Sequence, residues 1–185
     1  MDTIDMELLD RISDEFGVKV EIDAAGSIVV TPPAEDPHVI AQSVLLVQIA
    51  AVLPADLFVL QEGPQWTPLG GDTPCYVPDL AVVHLSAMRR GKRQYSLAIP
   101  PVLVVEVLSP STRRRDLTDK AESYFAGGAL AYWTIDVPGQ SAVDRPTLVA
   151  RRRGATGWEV GDAVTGVVHF DEPFPVTIDL DRLRI

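Results

Sequence analysis

One cysteine, Cys75, stands in 185 residues. That scarcity excludes an internal disulfide and any zinc centre built on several thiolates. The three histidines, His38, His84 and His169, are too scattered for a zinc signature. Long apolar runs are missing too: VLLVQIAAVL at 44–53 spans about ten residues, too few to cross a bilayer. The opening MDTIDMELLD is acidic and lacks the basic start and apolar stretch of a signal peptide. No GxxxxGK[ST] loop is present, so no nucleotide cofactor is expected. Ser109 and Ser111 sit in no GxSxG context. Aromatics are only 6% of the chain, and Trp66, Trp133 and Trp158 read as core or interface residues rather than base-stacking platforms. What is present is globular: 46% hydrophobic and 23% charged, with no repeat or low-complexity tract. The expectation is one domain over 1–185, cytoplasmic and without a membrane partner.

Basic side chains are scarce in the first half. Residues 1–88 hold 14 acids and two bases, whereas residues 89–153 hold 12 bases and six acids. Residues 154–185 return to six acids and two bases, for a net charge of −10 over the chain. The bases cluster as RRGKR at 89–93, RRR at 113–115 and RRR at 151–153. Such runs are commonly solvated faces, but this segregation also leaves room for one basic face of the kind a phosphate backbone requires.

Helical spacing of apolar residues marks 4–16, and KVEID and SIVVT read as a hairpin turning at Ala24–Gly26. Residues 36–53 predict a helix apolar nearly all round, hence buried against a sheet, with His38 and Gln42 as its polar stripe. Strands are predicted at 57–61, 79–85, 101–109 and 131–137. A helix is expected over 112–126, stopped by Gly127–Gly128. TLVARRR and GWEVG form a late hairpin, and FPVTIDL is expected to end the sheet. The pattern is α/β, a layered α+β arrangement with a mixed central sheet flanked by helices.

Glu106 lies inside VLVVEVL, a run apolar on both faces that marks a central strand. Alternation sets it on the face of Val104 and Leu108. A carboxylate there is costly unless a metal, a cationic side chain or backbone amides pair with it. Asp79 opens the strand DLAVVHL after Pro78. A Pro–Asp pair is ordinary turn chemistry, but two adjacent strands could bring Asp79 and Glu106 together as oxygen ligands for magnesium. Asp116, Lys120 and Tyr124 share one helical face, from which Lys120 could deliver an ammonium to the pair. The commoner fate of such a lysine is an exposed pair with Asp116. Asp136, at the end of YWTIDV, could approach the same place, and Cys75 reads as structural.

The segments PD at 78–79, PVLVVEVLSPST at 101–112, the D…K…Y series at 116, 120 and 124, and AYWTIDV at 131–137 resemble the Uma-type restriction-endonuclease family of the PD-(D/E)XK nuclease superfamily. VEID…GSIVV at 20–30 and HVIAQSVLLVQIAAVL at 38–53 are similar to that family's opening hairpin and first core helix, so the resemblance covers about 18–138. It implies a restriction-endonuclease-like fold and a metal-dependent endonuclease acting on nucleic acid, with DNA the expected substrate. Asp79 and Glu106 match the metal-binding acids, joined by the Val107 carbonyl. The superfamily lysine two residues after the second acid is replaced by Leu108, and Lys120 matches the position from which the family supplies it. Glu21 and His38 fall where the family often carries Glu and His and are further site candidates. Mg²⁺, with Mn²⁺ as a substitute, would polarise the scissile phosphate and acidify a water. Arg113, Arg114 and Arg115 would hold flanking phosphates. A homodimer is the default expectation for cutting two strands. The alternative is an inactive binding protein on a nuclease-like scaffold, which the net charge of −10 favours.

Overall fold

A computed structural model describes residues 6–62, 65–69, 74–90 and 95–184. Helix α1 (Met6–Phe16) leads into a hairpin of β1 (Lys19–Ile22) and β2 (Ile28–Thr31). Its turn uses Gly26 at φ 83°, a left-handed conformation open to glycine at little cost. Helix α2 (Asp36–Ala50) follows, then β3 (Leu57–Gln61) and β4 (Leu80–His84). After a small hairpin of β5 (Met88–Arg90) and β6 (Tyr95–Leu97) comes β7 (Leu103–Val107). A helical stretch over 113–126 crosses to β8 (Ala131–Asp136). The chain ends with β9 (Thr147–Arg153), β10 (Trp158–Val164), β11 (Val167–Phe170) and β12 (Val176–Asp179).

Six strands form the central sheet in the order β10-β9-β8-β7-β4-β3. Only β7 and β8 run parallel, joined by the 113–126 crossover; the other pairs are antiparallel. The sheet is therefore mixed, as expected. Alternation along β7 divides the core. Leu103, Val105 and Val107 face α2, β12 and the short helix Leu180–Leu183. Val104 faces the crossover helix with Tyr124 and Tyr132. Leu45 and Ile49 on α2 are fully buried, and truncating either to Ala should cost about 2–5 kcal/mol.

Several expectations change. Helix α2 stops at Ala50 rather than 53, because the residue before Pro54 is sterically biased out of the helical region. It is buried on one face only: Ala41, Leu45 and Ile49 face inward, while Val39 and Val47 are exposed. His38 and Gln42 also point inward, so the polar stripe is interior. FPVTIDL does not join the central sheet. Its β12 pairs with β11, and the ribbon lies over the core through Val176 and Ile178. The crossover helix is not uniformly α-helical: Asp116–Lys120 is a π-helical segment, a widened turn that sequence periodicity does not report. It ends at Gly127, where any Cβ would come within 2.8 Å of the Pro68 backbone.

Candidate active site

The β1–β2 hairpin docks beside β4 because Ile22 and Cys75 exchange backbone hydrogen bonds of 2.8 and 2.9 Å. This carries the β1 side chains onto the end of the sheet where β4 begins and β7 finishes. The β4–β7 register pairs Leu80 with Val105, so one further step sets Asp79 across from Glu106. The Val107 amide donates to Asp79 Oδ2 at 2.8 Å and ties the two strands at that point. Lys19 and Glu21, two apart on β1, share a face. Around them opens a cleft of about 780 Å³, floored by Glu21, Asp79, Glu106, Asp116 and Lys120.

Those five side chains are each no more than 2% exposed. Lys120 Nζ lies 2.9 Å from Glu106 Oε1, 3.0 Å from Glu21 Oε1 and 3.4 Å from Asp116 Oδ1. Tyr124 donates its hydroxyl to Glu106 Oε1 at 2.7 Å. Glu21 also accepts from the Val77 amide at 3.0 Å and from Arg115 at 2.8 Å. Asp79 takes Lys19 Nζ at 2.6 Å on one oxygen and His38 Nε2 at 3.1 Å on the other. The π-helical turn keeps both Asp116 and Lys120 buried, with Tyr124 four residues on.

Titration follows from this packing. Burial works against charge on Lys120, but Glu106, Glu21 and Asp116 overrule it and hold the ammonium protonated. Burial pushes Glu106 up to about 8, helped by Asp79 and Asp116 and opposed by Lys120, whose single charge three carboxylates share. Asp79 is the opposite case. Burial would raise it, yet Lys19 and His38 hold it well below the usual carboxylate range. His38 is shifted upward, since its bond to Asp79 outweighs its own desolvation.

The five residues singled out from the sequence, Asp79, Glu106, Lys120, Glu21 and His38, thus line one cleft. The basic runs divide. Arg115 turns inward onto Glu21, Arg113 pairs with Asp136, and Arg114 stays exposed. Arg151 donates to Thr134, Arg152 pairs with Glu159 and Glu172, and Arg153 bonds the carbonyls of Phe125 and Ala129, so this run is largely spent within the fold. Of the 89–93 run, residues 91–93 lie outside the described residues.

Two residues escaped sequence reasoning. Lys19 could have been found from its alternation with Glu21 in KVEI. Glu62 could not, because its place depends on strand pairing: β3 and β4 align Gln61 with Leu80, and the Glu62 amide donates to the Asp79 carbonyl at 3.0 Å. Glu62 adopts a left-handed φ of 47°, alone in this among the described non-glycine residues. Its side chain accepts from Gln42 Nε2 at 3.1 Å, and Gln42 in turn accepts from Gln61 at 3.0 Å. His38, Glu62 and Asp79 each offer a donor atom within 4.8 Å of the other two.

No helix among the described residues is long and apolar enough to cross a membrane. No curated protein matches the chain. The fold is similar to a solved structure titled as a putative nuclease belonging to DUF820 from Anabaena variabilis. That likeness has a TM-score of 0.64 at 22% identity, over 89% of this chain and 88% of that one. At this identity it speaks to the fold alone. The family model Uma2, described as "Putative restriction endonuclease", matches residues 6–161, a span holding β1, α2 and the whole cleft floor, and the chain belongs to that family.

Proposed function

We propose that this protein is a divalent-cation-dependent endonuclease that hydrolyses phosphodiester bonds in DNA. The observation that carries the reading is the buried Lys120 ammonium bound to Glu106 at the end of β7, beside Asp79 on the neighbouring strand. Four carboxylates here face the permanent cations Lys19, Lys120 and Arg115. Burial raises Glu106 to about 8, with Asp79 and Asp116 adding to the shift, and the buried Asp116 Oδ1 makes only a 3.4 Å ion pair with Lys120. Hard oxygen donors short of positive charge suit Mg²⁺ or Mn²⁺.

Asp79 and Glu106, with the Val107 carbonyl, would hold the ion. When bound, it supplies Lewis-acid polarisation of the phosphate and a more acidic water. The side chains do the rest. Lys120 keeps its proton at Nζ, fixes Glu106 and Glu21, and offers fixed positive charge against charge developing on phosphorus. Tyr124 orients Glu106 by its hydroxyl bond. Arg114 is exposed and free to meet a flanking phosphate, a contact that positions without reading sequence.

A second reading, a binding protein on an inactive scaffold, is favoured by one observation: Lys19, His38 and the Val107 amide already satisfy Asp79. Supercoiled DNA incubated with Mg²⁺ or Mn²⁺, against EDTA, separates the two. Cation-dependent nicking that falls by about 10²–10³ in Lys120→Ala and is lost in Asp79→Asn supports the nuclease. DNA binding without cleavage in any cation supports the second reading.

A further inference from the structure

We propose that Lys19 is a displaceable counter-ion: its ammonium holds Asp79 Oδ1 until a divalent ion takes that oxygen, and then turns to a phosphate of the bound DNA. This role rests on the nuclease reading for the place of the ion. It adds a side chain that the ion must displace and an order of events, ion before phosphate.

The two oxygens of Asp79 are held differently. Oδ2 accepts from the Val107 amide at 2.8 Å and lies 3.1 Å from His38 Nε2. Oδ1 has Lys19 Nζ, at 2.6 Å, as its one hydrogen-bond partner among the described residues. The carboxylate is thus anchored through one oxygen and closed by a single ammonium at the other. A magnesium ion sits about 2.1 Å from a ligating oxygen. On Oδ1 it and the ammonium would stand no more than about 5 Å apart, where two positive charges repel. Lys19 has to yield.

Lys19 is built to leave, and Lys120 is not. The Lys19 side chain is 18% exposed, makes that one bond, and starts a two-stranded hairpin outside the central sheet. Lys120 is 2% exposed and shared by three carboxylates. Rotation of the Lys19 stem carries the ammonium toward solvent while its methylenes stay packed.

The freed ammonium stays in the cleft, which Lys19 lines together with Glu106 and Lys120. A phosphate entering from solvent meets it before the buried floor. The exchange sets two positive charges where one stood, among the four carboxylates Glu21, Asp79, Glu106 and Asp116, and leaves the lysine for the substrate. Such a contact positions the backbone without reading sequence.

The test is lysine acetylation of the full-length protein, read by mass spectrometry in EDTA, in MgCl₂, and in MgCl₂ with a duplex DNA oligonucleotide. Lys19 should react about tenfold faster in Mg²⁺ than in EDTA, in proportion to its free fraction. DNA should slow it again, and Lys120 should stay protected throughout. Calorimetric titration with MgCl₂ should show about tenfold tighter binding in Lys19→Met, because a ligand occupied most of the time binds only through its free fraction. Arg115→Gln removes an equal charge from the cleft on Glu21 rather than Asp79 and should tighten binding less. Melting in EDTA checks that both variants fold, and the labelling of wild type stands without them. Equal Lys19 labelling in EDTA and Mg²⁺, continued labelling with DNA present, unchanged or weaker Mg²⁺ binding in Lys19→Met, or equal tightening in the two variants would each overturn the proposal. Cleavage is not the readout. A protein that releases Lys19 to Mg²⁺ but cuts nothing fails the nuclease reading alone, and one that nicks DNA with Lys19 labelled equally in both conditions fails this one alone.

Discussion

Lys120 and Glu106 meet at 2.9 Å, the ammonium carried by a widened helical turn and the carboxylate by the central strand that precedes it. Neither is more than 2% exposed, and the same ammonium serves Glu21 and Asp116. A buried ion pair of this kind adds little net stability while intact, but removing one member leaves charge stranded. The site is held by mutual dependence, and its mutants should show it.

Lys120→Ala should lose about 3–5 kcal/mol of folding free energy in EDTA, because Glu21, Glu106 and Asp116 lose their shared cation. Urea denaturation at neutral pH measures this directly. A loss below ~1 kcal/mol would mean the carboxylates protonate freely or reach water, against their observed burial.

Stability in EDTA should fall as pH rises from about 5 to about 8. Glu106 titrates near 8 in the folded protein and near 4.5 when unfolded, so between those values the folded state binds the extra proton. The slope of unfolding free energy against pH is then negative. His38, raised above its ordinary value, adds the same sign: its stabilisation is complete below about 6.5 and disappears as pH climbs through its folded value. Asp79 is held low and acts only in acid, where its contribution is lost below about 3.8. Melting temperatures across this range should decline in wild type and decline less in Glu106→Gln. A flat wild-type profile would contradict the assignment.

Tyr124→Phe removes one hydroxyl and leaves the ring stack on Trp66 intact, with centroids 5.3 Å apart. The cost should be about 1–3 kcal/mol, the loss of a charge-assisted or buried hydrogen bond to Glu106. Guanidinium denaturation of the pair reports it, and a neutral substitution would show that the hydroxyl does not fix Glu106.

The arginine run should split by residue. Arg114→Ala should weaken DNA binding at every sequence and flatten its salt dependence by about one unit of log–log slope. Arg115→Ala should instead destabilise the fold by leaving Glu21 short of a partner. Fluorescence anisotropy over a salt series, paired with melting curves, tests both. Equal salt slopes in Arg114→Ala and wild type would make that side chain ordinary solvated surface.

How much of this was legible beforehand depends on the range of each interaction. Glu106 stood out because VLVVEVL leaves a charged residue no apolar excuse, and periodicity alone put Asp116, Lys120 and Tyr124 on one face. Those are local patterns, written in neighbouring residues, and the central strands and crossover helix came with them. Asp79 was readable from its place at the head of the strand DLAVVHL, and the resemblance in motifs added Glu21 and His38. Tertiary structure decided the rest, because it turns on which strands pair and how far side chains reach. Glu62 became part of the cleft only when β3 aligned with β4, and Lys19 only when the hairpin docked through Ile22 and Cys75. The arginines at 113–115 read as one basic run, yet each found a different environment, since side-chain partners lie up to 94 residues away in the chain. Composition set the net charge and the six-strand core placed the acids. Only the packing of distant segments fixed which charges face one another, because electrostatic pairing depends on distance in space and not on separation along the chain.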